Sequence, residues 1–130
     1  MIYWNNIYWK IISGSLEKVS NKTSLICNNK LVLEYKPIIY SSDGFCIKGL
    51  YSGNVIIKIN DEEIILSSND LTNFKIGYND GILTVNGVTK NFKLDNDVKI
   101  EAIFEKNSKG EKWCICPKKV TNYPSCFINF

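Results

Sequence analysis

Histidine, arginine and glutamine are absent from this 130-residue chain, and alanine occurs once, at Ala102. Without histidine, the side chain most often used as a general base near neutral pH is missing. Without arginine, there is no planar guanidinium fork to grip a carboxylate or phosphate at two points. All 16 cationic side chains are therefore lysine. A serine or cysteine nucleophile has no imidazole to activate it, and none of the serines stands in an activating motif. Gly14, Gly44, Gly53 and Gly110 are isolated punctuation and form no phosphate-binding loop. These absences lead to the expectation that the chain is not an enzyme and takes no cofactor.

Long apolar runs are also missing. The opening MIYWNNIYWKII is interrupted by Asn5, Asn6 and Lys10. It lacks a basic leader, and no stretch has the length of a membrane span. A cytoplasmic location is expected, or host cytoplasm, virion or inclusion for a viral product. The net charge of +3 is mild, and a dedicated nucleic-acid binder would show a denser basic stripe. The excess of Ile, Asn and Lys matches AT-only codons, which points to an AT-rich genome.

What is present is alternation with period two, broken by turn residues. In residues 74–94, Phe74, Ile76 and Tyr78 share a face, Asn79-Asp80-Gly81 turns, and Leu83 and Val85 follow. Asn86-Gly87, the preferred pair for a type I′ turn, reverses the chain again. Val88, Phe92 and Leu94 are then expected on one face, which makes a three-strand meander. Val98, Ile100, Ala102 and Phe104 alternate with charged residues, and Leu31, Leu33 and Tyr35 do the same. Phe45 to Tyr51 reads as a strand, Ser52-Gly53-Asn54 as a turn and Val55 to Ile59 as the next strand. Ile2–Trp4 and Ile7–Ile12 form either a hairpin about Asn5-Asn6 or one long edge strand. The count is about ten to twelve short strands in one domain spanning residues 1–130. The expected fold is an all-β antiparallel two-sheet sandwich or jelly roll, with a closed barrel as the alternative.

Five cysteines, Cys27, Cys46, Cys114, Cys116 and Cys126, are an odd number. In KWCICPKK, Trp113 and Ile115 fall on one strand face, while Cys114 and Cys116 fall on the other with Lys112 and Lys118. An inward Trp113 places both thiols on a polar face beside ammonium groups, where thiolates are favoured. Cys114 and Cys116 are therefore candidates for an intermolecular disulfide. With Cys126 they form a weak candidate metal set, since C-x-C without histidine is a poor zinc pattern. No metal is expected. Asp61, Glu62 and Glu63 are consecutive and cannot face one cleft, and Asp70 and Asp80 read as turn formers.

Tyr3, Trp4, Tyr8 and Trp9 cluster near the start, and Tyr123, Phe127 and Phe130 near the end. These seven are the candidate contacts for self-association or for a ligand, because exposed aromatics suit sugar rings and partner surfaces. FKIGYNDGILTVNGVTKNFKL, followed by VKIEAIF, resembles the meander of galectin-like and laminin-G-like lectin sandwiches. The resemblance implies a sandwich fold. Galectin sugar sites use histidine, arginine and a Trp-Gly pair. This chain has none of them, so no site residue transfers.

The leading expectation is a non-catalytic structural protein that self-assembles, a homo-oligomeric coat, shell or inclusion-body component of a virus with an AT-rich genome. The alternative is a lectin-type module binding a glycan or a protein.

Overall fold

A computed structural model describes residues 2–4, 7–14, 18–21, 24–27, 29–35, 39–41, 44–94 and 97–117. Strands dominate, and no α-helix occurs among the described residues. The N-terminal part forms β1 (Ile2–Trp4), β2 (Ile7–Gly14), β3 (Lys18–Asn21), β4 (Ser24–Ile26), β5 (Leu31–Tyr35) and β6 (Ile39–Tyr40). The two longest strands follow, β7 (Phe45–Ile59) and β8 (Glu62–Asn79). The remainder is β9 (Ile82–Val85), β10 (Val88–Asn91), β11 (Asp97–Val98), β12 (Ile100–Phe104) and β13 (Lys109–Pro117). All pairings are antiparallel, and a short β6–β11 ribbon stands apart from the main sheet.

The meander forms as its turn residues require. Asn86 and Gly87 have φ of 49° and 88°, the positive pair that a type I′ turn needs. Asn86 also pins the hairpin to β8, because its Oδ1 accepts from the Lys75 N–H at 2.8 Å. One expectation fails here. Val88 does not join Phe92 and Leu94 over the core, because β10 is the outermost strand of the meander and all its residues are exposed.

The Ser52-Gly53-Asn54 turn is also corrected. The chain runs through it as one strand, and the punctuation is a bulge in the β7–β8 ladder. Tyr51 pairs with Thr72 and Gly53 with Ser68, so three residues of β8 oppose Ser52 alone. The excess is two residues, an even number, so the side-chain alternation keeps its phase across the bulge. Phe45, Ile47 and Tyr51 before it, and Val55, Ile57 and Ile59 after it, are buried on the same face.

This bulge divides the β7–β8 ribbon between two layers. Residues 45–52 of β7 pair with β13, which continues to β4 and β3. Residues 55–59 pair with β12, which continues to β5, β2 and β1. In a flat sheet, Trp9 would sit level with Ile59 and Trp113 level with Gly49. They would then be on the order of 30 Å apart along the strands. Their ring centroids are 5.9 Å apart. The sheet is therefore folded over on its apolar face, with strands passing from one layer to the other at a bulge. The architecture is the expected antiparallel sandwich. The hydrogen-bonded path ends at β1 and β3 and does not close, so the barrel alternative is set aside.

Two local devices hold the fold-over. Ser108 is the one buried polar residue among those described, and its Oγ accepts from the Asn54 N–H (3.0 Å) and donates to the Asn54 carbonyl (2.9 Å). These bonds tie β7 to the β12–β13 connection, where the Asn54 carbonyl also accepts from the Glu105 N–H at 3.1 Å. Trp113 lies under both layers against Phe74, Phe104 and Trp9, and its Nε1 donates to the Leu50 carbonyl at 2.8 Å.

Candidate functional site

The aromatic candidates separate into groups. Trp9 is fully buried, edge-on to Tyr35 and Trp113, and is corrected from a contact residue to a core residue. The cause is the fold-over, which brings the inward face of β2 onto β13. Tyr3, Trp4 and Tyr8 lie on the β1–β2 hairpin, where Tyr3 pairs with Tyr8 and Trp4 with Ile7. Tyr123, Phe127 and Phe130 lie outside the described residues. Tyr35, Tyr51, Tyr78 and Trp113 are buried as well, so none of these four rings offers a sugar platform.

The cysteines are not one cluster. Cys114 does alternate with Ile115 and stands opposite Lys48, but it is fully buried, between Trp113 and Ile115, which are buried too. The alternation from Trp113 onward is regular, so the thiol takes the expected face, and that face is covered at this position. Burial removes Cys114 as a thiol available to another chain. Cys116 is the direct register partner of Cys46. Opposed Cα atoms in antiparallel strands lie about 4.5–5.5 Å apart, within the spacing of a disulfide, so the backbone brings Cys116 to a cysteine of its own chain. Cys126 lies outside the described residues. No group of three or more His, Cys, Asp or Glu suited to a metal occurs among the described residues.

Cys27 is buried, and its backbone bonds to the β12–β13 connection, donating to the Ser108 carbonyl and accepting from the Asn107 N–H. Burial pushes its thiol up to about 12. The folded protein therefore holds this proton more tightly than the unfolded chain does. The resulting stabilisation is complete below the ordinary thiol value of 9.0 and declines from there toward about 12. Thermal melts should show the wild type losing stability faster over that window than Cys27→Ala. Identical slopes for the two proteins would contradict this account.

The exposed polar groups gather at the β7–β8 bulge. Asn69, Asp70 and Leu71 are thrust out of β8 opposite Ser52, and all three are exposed. The Ser68 and Thr72 hydroxyls lie 2.7 Å apart, and each stands 2.8 Å from the Asp70 carbonyl. Each hydroxyl has one hydrogen, so the two together donate in only two of these three contacts at a time. Next to them the Ser67 hydroxyl donates to Asn54 Oδ1 at 2.7 Å. The result is an apron of hydroxyls and carboxamides around one carboxylate and one half-exposed leucine. It is held by local hydrogen bonds and by Ser108 behind it. Such a set can exchange hydrogen bonds with a neutral, many-hydroxyl ligand. In the sequence Asp70 reads as a turn former, and no motif marks Ser67, Ser68 or Thr72. The available signal was the run Ser67 to Asn73, seven residues without a core position between Leu66 and Phe74.

No family model matches this sequence, and no curated protein does. Among solved structures, the fold is similar to that of a carbohydrate-binding module, CBM66 from Bacillus subtilis. The likeness covers 82% of this chain and 94% of that one, with a TM-score of 0.52 and 5% identity. At that identity the likeness concerns the fold.

Proposed function

We propose that this chain is a non-catalytic carbohydrate-binding module. The observation that carries the reading is the near end-to-end likeness of its fold to a carbohydrate-binding module. The chemistry agrees with it. A sugar brings hydroxyls in place of phosphate or carboxylate, so the lack of arginine is no handicap. The bulge apron offers donors and acceptors on one rim, with Leu71 as an apolar patch. The Asp70 carboxylate is the strongest acceptor there, since bonds to an ionised group are about twice as strong as neutral ones.

The test is a printed oligosaccharide array followed by calorimetry on the best responder. Saturable binding is expected, and Asp70→Ala should weaken it about tenfold, the loss of one charge-assisted bond. An array without a responder overturns the reading. A responder indifferent to Asp70→Ala moves the site away from the bulge.

A self-associating structural protein of the coat or shell type is the second reading. It is favoured by a row of aliphatic side chains on the outward face of the β12 layer, including Ile65 at 73% exposure.

A further inference from the structure

The outward face of the layer β8–β7–β12–β5–β2 carries two parallel rows that the strand register defines. One row is aliphatic. Ile65 pairs with Ile56, Ile56 with Ile103, and Ile103 with Val32. The row ends at the β2 bulge, where Ile12 is 42% exposed. The adjacent row is charged and runs Glu63, Lys58, Glu101, Glu34, Lys10 across the same five strands. Ile65 and Ile12 at the two ends are exposed and Ile56, Ile103 and Val32 between them are half-buried, and a line of aliphatics crossing a whole sheet, unlike scattered single ones, points to an interaction surface.

The order of charges selects the occupant. Read from β8 to β2, the row is minus, plus, minus, minus, plus. Reversed, it places Lys10 against Glu63 and Glu34 against Lys58. Only the centre meets its like, Glu101 against Glu101, and there Lys99 stands 3.7 Å from Glu101 and offsets the repulsion. A two-fold axis parallel to β12 produces this reversal, and it lays the aliphatic row on its own copy. Self-complementarity of this kind is what an isologous dimer needs. A glycan or an unrelated protein does not require it.

We infer that a second copy of this chain docks here, face to face, through a two-fold axis along β12. The inference rests on the self-association reading and adds the surface and the symmetry. Five strands about 4.8 Å apart span roughly 20 Å and the two rows lie roughly 7 Å apart, so with the width of a side chain around them the patch measures on the order of 300 Å² in plan per copy. Stable interfaces bury about 800 Å² per partner, so this dimer is weak and forms near ~100 µM or above.

Sedimentation of the full chain from ~10 µM to ~1 mM tests it. A monomer–dimer equilibrium with no larger species is expected. Ile103→Lys, on the axis where the new ammonium meets its own copy, should weaken it at least tenfold, and Ile65→Lys, at a more exposed position of the same row, should weaken it without disturbing the fold. Lys58→Glu alone should also weaken it, and Lys58→Glu with Glu34→Lys should restore it. Association that ignores all these changes overturns this surface and leaves the self-association reading standing. A monomer throughout overturns both. A monomer whose face residues respond to an oligosaccharide assigns the rows to a glycan instead.

Discussion

Replacing Trp113 with alanine is expected to cost about 3–5 kcal/mol, the range for removing a buried aromatic and leaving a cavity. For a chain of this size, that lowers the melting temperature by roughly 10–20 °C. The indole justifies the upper part of the range because it touches both layers. Its ring lies 4.6 Å from Phe74 on β8, 5.0 Å from Phe104 on β12 and 5.9 Å from Trp9 on β2, centroid to centroid. Folding the sheet over brings these rings together, so losing one loosens the contact between layers as well as the local core. Gly49 supplies the room, because a Cβ there would stand 2.5 Å from Trp113 Cδ1 and 2.9 Å from Phe74 Cε1. Gly49→Ala should therefore cost about 1–3 kcal/mol by overpacking. In a Trp113→Ala background the same change should cost less, because the ring it strikes is gone. Trp113→Phe should fall between, keeping most ring contacts but leaving the Leu50 carbonyl without its 2.8 Å donor. Urea unfolding of the wild type and the four variants measures all of this. A Trp113→Ala loss under about 1 kcal/mol would mean that the layers are held by something else.

The parts of this fold that were legible in the sequence are those fixed by local pattern. Alternation gave the buried faces of β5, β7, β12 and the C-terminal half of β8, because side-chain period alone decides which face a strand residue takes. The Asn86-Gly87 turn was legible because few residue pairs accept two positive φ angles. The illegible parts depend on which distant strand lies opposite. Gly53 looks the same in sequence whether the chain reverses or bulges there, and only the partner strand, with Asn69 to Leu71 displaced, distinguishes the two. Trp9 read as one of four aromatics in a row, and it is core because a strand a hundred residues away arrives beneath it. Cys114 was given the correct face and the wrong exposure for a similar reason, since alternation does not report how deeply a face is covered. The candidate glycan apron was hidden because hydroxyls and carboxamides are ordinary turn residues until a bulge lifts them out together.

Gly53→Ala adds a single methyl and should be severely damaging. Gly53 has φ of 85°, where an L side chain is strained, and that alone costs about 1 kcal/mol. The new methyl would also stand 2.6 Å from Ser108 Oγ and 2.9 Å from Ser108 Cα. A hydroxyl can rotate away, but the Cα belongs to backbone fixed by Ser108 N–H to Glu105 and by Cys27 N–H to the Ser108 carbonyl. If the hydroxyl turns aside, the Asn54 N–H loses its 3.0 Å acceptor and the Asn54 carbonyl keeps only the Glu105 N–H at 3.1 Å, a loss worth about 1–3 kcal/mol. The sum is about 2–4 kcal/mol, a large share of the ~5–15 kcal/mol that holds a typical domain. Ser108→Ala isolates the hydrogen-bond share and should cost about 1–3 kcal/mol. Combining Gly53→Ala with Ser108→Ala should cost clearly less than the two separately, because both remove the same bonds to Asn54 and the second also removes the nearest of the atoms the methyl strikes, Oγ at 2.6 Å. Additive losses, within about 0.5 kcal/mol, would show that the methyl and the hydroxyl do not meet. The consequence reaches the surface as well. Ser108 holds Asn54, Asn54 accepts from Ser67, and the bulge opposite Ser52 carries Asp70, so a variant that folds with this corner displaced should bind any glycan ligand more weakly than its stability loss alone explains.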